Sequence, residues 1–394
     1  MKHVDAQTVL PPNLLDAVQE YVQGTYIYIP VRPKKRQPWG AGTAYRRELA
    51  LRDQLIFTRR LEGVSVPSLA RIFHLSEQTV RRIVHKRREA MQDVESIIRS
   101  SLMRWGLDAP LTQIHNSAWQ VGTQYIVKTY THLPSLERNA LTMRTLRGLS
   151  IPVPEVVPLL KGGDCCAQDG LYLLLTTRLS GSNVVKVSAC PDDWFRAMGG
   201  ILARLHTAFR ACEMSIPCWQ NSLLAELQGW IADVLAQHPC DALPCDALAE
   251  TLAALAPVYD KLPQQLIHRD VHLGNFLFDH GAFSGYIDFD LSQRNVRIFD
   301  LCYFMLGLLL RENADFLDET RWFSALQQVL LGYDEALPLL AVEKDAIPSV
   351  MKGIELLFAA YFTAQGDARL AEVSAGLYRF VRENESRIRR VARL

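Results

Sequence analysis

The sequence predicts an α+β chain, with a mainly α module first and then a bilobal unit whose small lobe is β-rich and whose larger lobe is helical. Three observations predict this. Short β-type runs crowd residues 111–129, helix-period segments fill most of 192–390, and two helical patterns flank a short turn near residue 74.

The chain has 394 residues, 49% hydrophobic and 22% charged, which is ordinary for a globular protein and enough for more than one core. Its net charge of +1 hides an asymmetry. Residues 1–100 hold 17 Lys and Arg against 10 Asp and Glu, and the remainder holds 26 against 32. A basic module that meets something anionic, joined to a mildly acidic one, is the expectation. Eight scattered cysteines without metal-type spacing fit reduced thiols. The longest apolar run, Leu301–Leu310, is interrupted at Gly307 and ends at Arg311, too short to span a bilayer. With no segment reading as a signal peptide, a cytoplasmic protein without a membrane partner is expected.

In the first module (1–90), Leu14–Val22 reads as a short helix, Tyr26–Ile29 as a strand and Arg32-Pro33-Lys34-Lys35-Arg36 as a basic loop. Residues 48–62 are helical in period and Gly63 stops them. Pro67 suits a first helical turn, Ala70 allows a close helix crossing, His74-Leu75 makes a turn, and Ser76 caps the next helix. Leu75, Val80 and Ile83 would lock that helix onto the first. This is helix-turn-helix grammar. Gln78, Thr79, Arg81 and Arg82 at the start of the second helix would reach base edges, and Lys86 would reach phosphates. As an ordered run, residues 10–86 resemble small Mor-like helix-turn-helix regulators, including Trp39-Gly40 and the Leu-Ser-x-x-Thr-Val-Arg-Arg-Ile segment. The resemblance implies binding of double-stranded DNA as a homodimer. A helical linker (91–107) comes next.

The small lobe (108–178) begins with the runs Leu111–Ile114, Ala118–Val121 and Tyr125–Thr129. Lys128, at the inner end of the third, can meet nucleotide phosphates as a point charge. A helix over roughly 135–149 should bring a glutamate to fix that lysine, and Glu137 is the only acid in it. Leu171–Leu175 reads as a buried strand, followed by a hinge from Thr176 to Leu179 that includes Thr177.

The large lobe (179–394) carries the chemistry. His268-Arg269-Asp270-Val271-His272-Leu273-Gly274-Asn275 is a turn-rich loop between short apolar runs, and Asp288 comes thirteen residues after Asn275. Phosphoryl transfer needs an acceptor for the proton of the attacking hydroxyl, and hard oxygen ligands for Mg²⁺ beside the phosphates. Asp270 supplies the first, Asn275 and Asp288 the second. Trp219, Trp230, Tyr259 and Trp322 are candidates to line the acceptor pocket, weighed against ordinary core roles.

Residues 108–390 resemble the aminoglycoside phosphotransferase family, a branch of the protein-kinase-like fold. The resemblance rests on Tyr125-Ile126-Val127-Lys128, Ile151-Pro152-Val153-Pro154, Leu202-Ala203-Arg204-Leu205-His206 and the two loops around Asp270 and Asp288. It implies ATP or GTP and Mg²⁺ as cofactors, a small-molecule hydroxyl as acceptor, and Thr177 and Leu179 beside the nucleotide base. It also implies that Asn116-Ser117 covers the phosphates through backbone amides, and that Asp300 braces the loops. Arg269 stands where the family usually has Gly, and Leu273 where it has Pro. Aligned back from Pro152, Asn139 stands where the lysine-pairing glutamate is usual. The rival expectation is a transcription regulator whose kinase-like half senses a ligand or nucleotide without turnover.

Overall fold

A computed structural model of the protein describes residues 56–57, 60, 65–72, 75–115, 117–184, 186–310 and 315–393. The chain divides into two units, Met1–Leu49 and Ala50–Leu394, and every described residue belongs to the second. The expected strand at Tyr26–Ile29, the basic loop at Arg32–Arg36, the turn residue His74 and Asn116 lie outside the described residues.

The helix-turn-helix grammar appears as α1 (Val66–Ile72) and α2 (Glu77–Leu102). Ser76 caps α2 through its side chain, which accepts from the Thr79 amide at 3.1 Å. Ile56, Leu69, Val80 and Ile83 form a small separate core beneath them, with Leu75 and Ala70 against it. Periodicity misses how far α2 runs. It is one helix of 26 residues that passes straight through residue 90, where the first module was expected to end. Its far end buries Ile98 and Leu102 with Trp105, Trp119, Val127 and Leu173, on the small lobe's sheet. The expected linker is therefore the tail of α2 and part of the small-lobe core.

That sheet has the order β1-β2-β3-β5-β4, with every pairing antiparallel. Its strands are β1 (Leu111–His115), β2 (Ala118–Val121), β3 (Tyr125–Tyr130), β4 (Cys165–Gln168) and β5 (Leu171–Thr177). Between β3 and β4 runs α3 (Leu133–Gly148), started by Pro134 in its first turn. It buries Leu136, Asn139, Ala140, Met143 and Leu146, the spacing of one helical face.

In the large lobe, α4 (Asp192–Cys212) is followed by the short strand β6 (Trp219–Gln220), by α5 (Ala247–Tyr259) and by β7 (Gln264–Ile267), which leads into the loop at 268–275. The hairpin β8 (Phe276–Asp279) and β9 (Ala282–Tyr286) comes next, then β10 (Gln293–Val296), which pairs with β7. The rest is helical: α6 (Ile298–Gly307), α7 (Glu319–Ala336), α8 (Ala341–Ala364), α9 (Ala368–Glu383) and α10 (Glu385–Ala392). Helices α4 and α7 cross backbone against backbone. A Cβ on Gly199 would collide with the Val329 carbonyl, and one on Gly332 with that of Arg196. That close approach sets Tyr333 of α7 against His206 of α4. The fold is a bilobal kinase-like α+β unit, and no helix among the described residues is long and apolar enough to cross a membrane.

Candidate functional site

The loop at 268–275 hangs from one carboxylate. Asp300, fully buried in the first turn of α6, accepts from the backbone amides of His268 and Arg269, each at 2.9 Å. His206 Nε2 adds a third bond at 3.0 Å, and Tyr333 donates its hydroxyl to His206 Nδ1 at 2.7 Å. The ionised carboxylate can only accept, so Nε2 carries a proton. These contacts hold Arg269 at φ +73°, a left-handed conformation that a bulky residue keeps only when its surroundings impose it. The Arg269 guanidinium lies 4.1 Å over the Phe299 ring and reaches Glu226 at 3.2 Å.

Held this way, Asp270 meets neutral donors on both carboxylate oxygens. Oδ1 accepts from the Tyr303 hydroxyl at 3.1 Å and Oδ2 from Asn275 Nδ2 at 3.2 Å. Asn275 Nδ2 also donates to the Asp270 carbonyl at 2.8 Å. Burial alone would raise the Asp270 pKa. The hydrogen bond and charge of His272, the His268 charge and the Tyr303 hydroxyl outweigh it and hold the carboxyl below its ordinary value.

Asp288 stands at the other wall with φ +63°, again a left-handed non-glycine. Backbone bonds tie it to the first loop: the Ile287 amide donates to the Asn275 carbonyl at 3.1 Å, and His268 Nε2 lies 3.1 Å from the Ile287 carbonyl. Asn275 and Asp288 therefore sit on loops laced to each other. With its amide nitrogen committed to Asp270, Asn275 offers Oδ1 as its remaining acceptor. An amide oxygen and a carboxylate are the hard donors that Mg²⁺ takes while keeping water and phosphate oxygens, so the residues fit that ion.

Lys128 finds its anions on this loop as well. Its Nζ lies 2.8 Å from Asp288 Oδ1 and 2.6 Å from Asp290 Oδ2. Burial would lower the Lys128 pKa, but Asp290 and Asp288 raise it above the ordinary value, so the ammonium stays charged. Asn139 completes the cluster by donating Nδ2 to Asp290 Oδ1 and to the Tyr130 hydroxyl, each at 2.6 Å. Tyr130 in turn donates to Asp290 Oδ1 at 3.0 Å. The ion pair expected from Glu137 is made elsewhere. Glu137 is exposed on α3, while Asn139 faces inward two residues on. A second carboxylate at 139 would repel Asp290, whereas an amide donates to it. The acid that pairs with Lys128 from outside the metal position is therefore Asp290, not a glutamate on α3.

Other expected residues have their own commitments. Thr177 ends β5, where its amide N–H is committed to the Glu155 carbonyl at 2.8 Å and its hydroxyl accepts from the Glu155 amide at 2.9 Å. The Thr177 amide is thus unavailable to a nucleotide base; Leu179 sits half-buried two residues later. The Ser117 carbonyl accepts from the Thr129 amide at 2.8 Å, anchoring the β1–β2 turn to β3. Of the aromatics weighed for the acceptor pocket, Trp322 and Tyr259 are core residues, bonded to Met305 O and Asn295 Oδ1, and Trp230 is partly exposed. Trp219 lies in β6, paired with Gln293 of β10. On α2, Gln78, Arg81, Arg82 and Lys86 are exposed. Thr79 is half-buried, with its hydroxyl 2.8 Å from that of Ser76, and Arg81 pairs with Glu77 at 2.9 Å.

Asp270 opens onto a cavity of about 580 Å³ in the large lobe. Tyr303 of α6, Phe358 and Phe362 of α8, and Leu377 of α9 wall it, with His272 beside Asp270. Sequence reasoning missed Asp290, Tyr303 and this aromatic wall. Asp290 was legible as the second acid of the pair after Ile287. Tyr303 was legible as one helical turn beyond Asp300. The residues of α8 carry no local signal.

Comparison with known proteins places residues 109–339 in a family, the one described as "APH: Phosphotransferase enzyme family". A homoserine kinase of Gluconobacter oxydans is 28% identical over 190 residues, covering 47% of this chain and 56% of its own length. One from Hyphomonas neptunium is 27% identical over 216 residues, 52% of this chain and 63% of its own length. The chain thus spans about three fifths of each. The uncharacterized protein YraL of Bacillus subtilis is 34% identical over its whole length, 87 residues or 22% of this chain. Among solved structures, amicoumacin kinase hAmiN in complex with AMP-PNP, Ca²⁺ and Ami aligns with a TM-score of 0.59 at 19% identity. It covers 77% of this chain and 96% of that one. A GDP complex of aminoglycoside 2'-phosphotransferase-IIIa aligns at 0.57 and 14%, covering 75% and 99%. At such identities the likeness is one of fold.

Proposed function

The chain belongs to the phosphotransferase enzyme family, and we propose from that premise that it transfers the γ-phosphoryl group of ATP or GTP to a hydroxyl of a small molecule. The observation that carries the reading is the position of Asp270: a carboxylate kept ionised, fixed by Tyr303 and Asn275, on the wall of a cavity. A hydroxyl seated there donates to Asp270, which orients one oxygen lone pair toward the γ-phosphorus. As the new O–P bond forms and the bond to the bridging oxygen breaks, the proton passes to Asp270 and the nucleoside diphosphate leaves. Mg²⁺ held by Asn275 and Asp288 would neutralise charge on the phosphate oxygens. Lys128, with Asp290 behind it, meets the remaining phosphate charge, and in doing so releases Asp288 from the ion pair. The homoserine kinases and the amicoumacin kinase among the similar proteins support a small alcohol as acceptor. Eight unpaired cysteines fit a reducing cytoplasm.

The direct test is ADP release by the purified chain with Mg-ATP and a panel of alcohols, with Asp270→Asn alongside. Binding of Mg-ATP and acceptor-dependent ADP release, lost in the variant, is the expected result. Failure to bind nucleotide at all would end the proposal.

A second reading has its own observation. The exposed basic residues of α2 and the small-lobe core belong to one unbroken helix. We propose that the first module (1–90) binds double-stranded DNA through Gln78, Thr79, Arg81, Arg82 and Lys86, as a homodimer, and that nucleotide or acceptor in the kinase-like unit alters that binding. Gel shifts with and without Mg-ATP, across a salt series, test it. Binding that ignores salt, or fails for every duplex, would refute it.

A further inference from the structure

The cavity beside Asp270 has a chemical character that bears on the acceptor. Its walls are mostly apolar, with Leu273, Phe358, Phe362, Leu370, Val373 and Leu377 among them. Tyr303 and Phe358 stack at 5.7 Å between centroids, and Phe358 and Phe362 at 6.0 Å, so aromatic faces line one side. The titratable groups on the wall are Asp270, His272, Tyr303, Asp315 and Glu355. Among the described lining residues there is no Lys or Arg. Asp315 is already tied to Ser188, accepting from its amide and its hydroxyl at 2.7 Å each. Glu355 is different. It is 4% exposed, yet lines the cavity, and its hydrogen-bond partner is the neutral Ser374. Lys352, one turn earlier on α8, is no counter-ion for it, because its ammonium is held by Glu250 at 2.6 Å and Glu385 at 2.8 Å.

A buried acid with no Lys or Arg among the described lining residues, in a mostly apolar chamber next to Asp270, is costly to ionise unless something supplies a cationic partner. We propose that the acceptor is an alcohol with an apolar body and a single amine, its ammonium bound by Glu355 and its hydroxyl held at Asp270. This rests on the phosphotransferase reading and specifies its substrate class. Tyr303 lies between the two anchors. It donates to Asp270 and shares the cavity wall with Glu355, so its ring faces a ligand that spans both. The volume lies within the range of small-molecule pockets and admits an aromatic amino alcohol. Apolar walls disfavour a polyhydroxylated polycation, whose buried hydroxyls and extra ammonium groups would lack partners. Ammonium over the Tyr303–Phe358 faces gains cation–π attraction as well. Burial, opposed by the Ser374 hydrogen bond, pushes the Glu355 pKa up to about 8. The empty cavity therefore holds a protonated acid at neutral pH, and an arriving ammonium expels that proton into solvent.

Phenylalaninol and its deaminated analogue phenylpropanol are the probes, titrated calorimetrically into the full chain with Mg-AMP-PNP in two buffers of different ionisation heat. The expected result is at least tenfold tighter binding of the amine, with close to one proton released at pH 7. Glu355→Gln should bring the two affinities together and abolish the proton release. Equal affinity of the two probes for the wild-type chain overturns the inference without any variant, as does amine preference that survives in Glu355→Gln. Absence of binding by either probe overturns it also. In each case Mg-ATP binding and ADP release report on the phosphotransferase reading separately, so that reading stands or falls on its own.

Discussion

The loop around Asp270 and the cluster around Lys128 both fix a charge beside the same cleft, by opposite means. Asp270 is held by hydrogen bonds from Tyr303 and Asn275, with His272 3.6 Å away, and by a backbone that hangs from buried Asp300. Lys128 is held by two opposite charges, one of which, Asp288, is also a candidate metal ligand. The first arrangement is complete before any ligand arrives. The second, on the proposed function, exchanges a partner when one does. A base has to be aimed in advance, whereas a phosphate-binding cation gains by having an anion that can leave.

The sharpest way to break this contrast is Asp270→Asn. It keeps the shape of the loop and removes the proton acceptor, so kcat should fall about 10³-fold while Mg-ATP affinity stays near wild type. A comparable loss in nucleotide affinity would mean that the two regions are not separable. Next in size is Asp300→Ala, which orphans two backbone amides and His206 at once. Chemical denaturation should show a loss of about 3–5 kcal/mol. A loss below about 1 kcal/mol would mean that the loop does not hang from that carboxylate. Asp290→Asn acts on the other region. With Asp288 engaged by a metal, Asp290 is the anion left on Lys128, so KM for ATP should rise about tenfold with a smaller change in kcat. An unchanged KM would assign Asp290 to structure alone. The smallest effect is in pH. Burial raises the Asp270 pKa, but His272, His268 and Tyr303 lower it further, so the net shift is downward. The ionised base then persists into acid, and the acidic limb of kcat/KM should lie below about pH 4. A limb near about pH 6 would point to a histidine instead.

Much of this was readable in advance because it is local. Asp270, Asn275 and Asp288 lie within 19 residues, and turn-forming residues at fixed spacing announce a loop whatever surrounds it. The strands at Leu111–His115, Ala118–Val121 and Tyr125–Tyr130 follow from β-branched and aromatic alternation. What failed to show was long-range. Glu137 is the one acid in the right helix, but which face of α3 turns inward depends on packing against β5 and α4, and Asn139 takes that face. Glu355 lies 85 residues from Asp270 along the chain, so no window of sequence places the two around one chamber. The cysteine pair Cys165-Cys166 became an edge strand, β4, because β5 offered it a free side, which the sequence of the pair does not state.

Twenty-six residues of unbroken α-helix reach about 39 Å. One end of that rod is embedded in the small lobe through Ile98 and Leu102, while the other carries the exposed side chains of Arg81 and Arg82. A pivot of about 5° where the rod is clamped sweeps its free tip through roughly 3 Å, the scale of a hydrogen bond. On the proposed DNA-binding reading, such a tilt would link the two ends with an amplification set by the length of one secondary-structure element rather than by a chain of side-chain contacts.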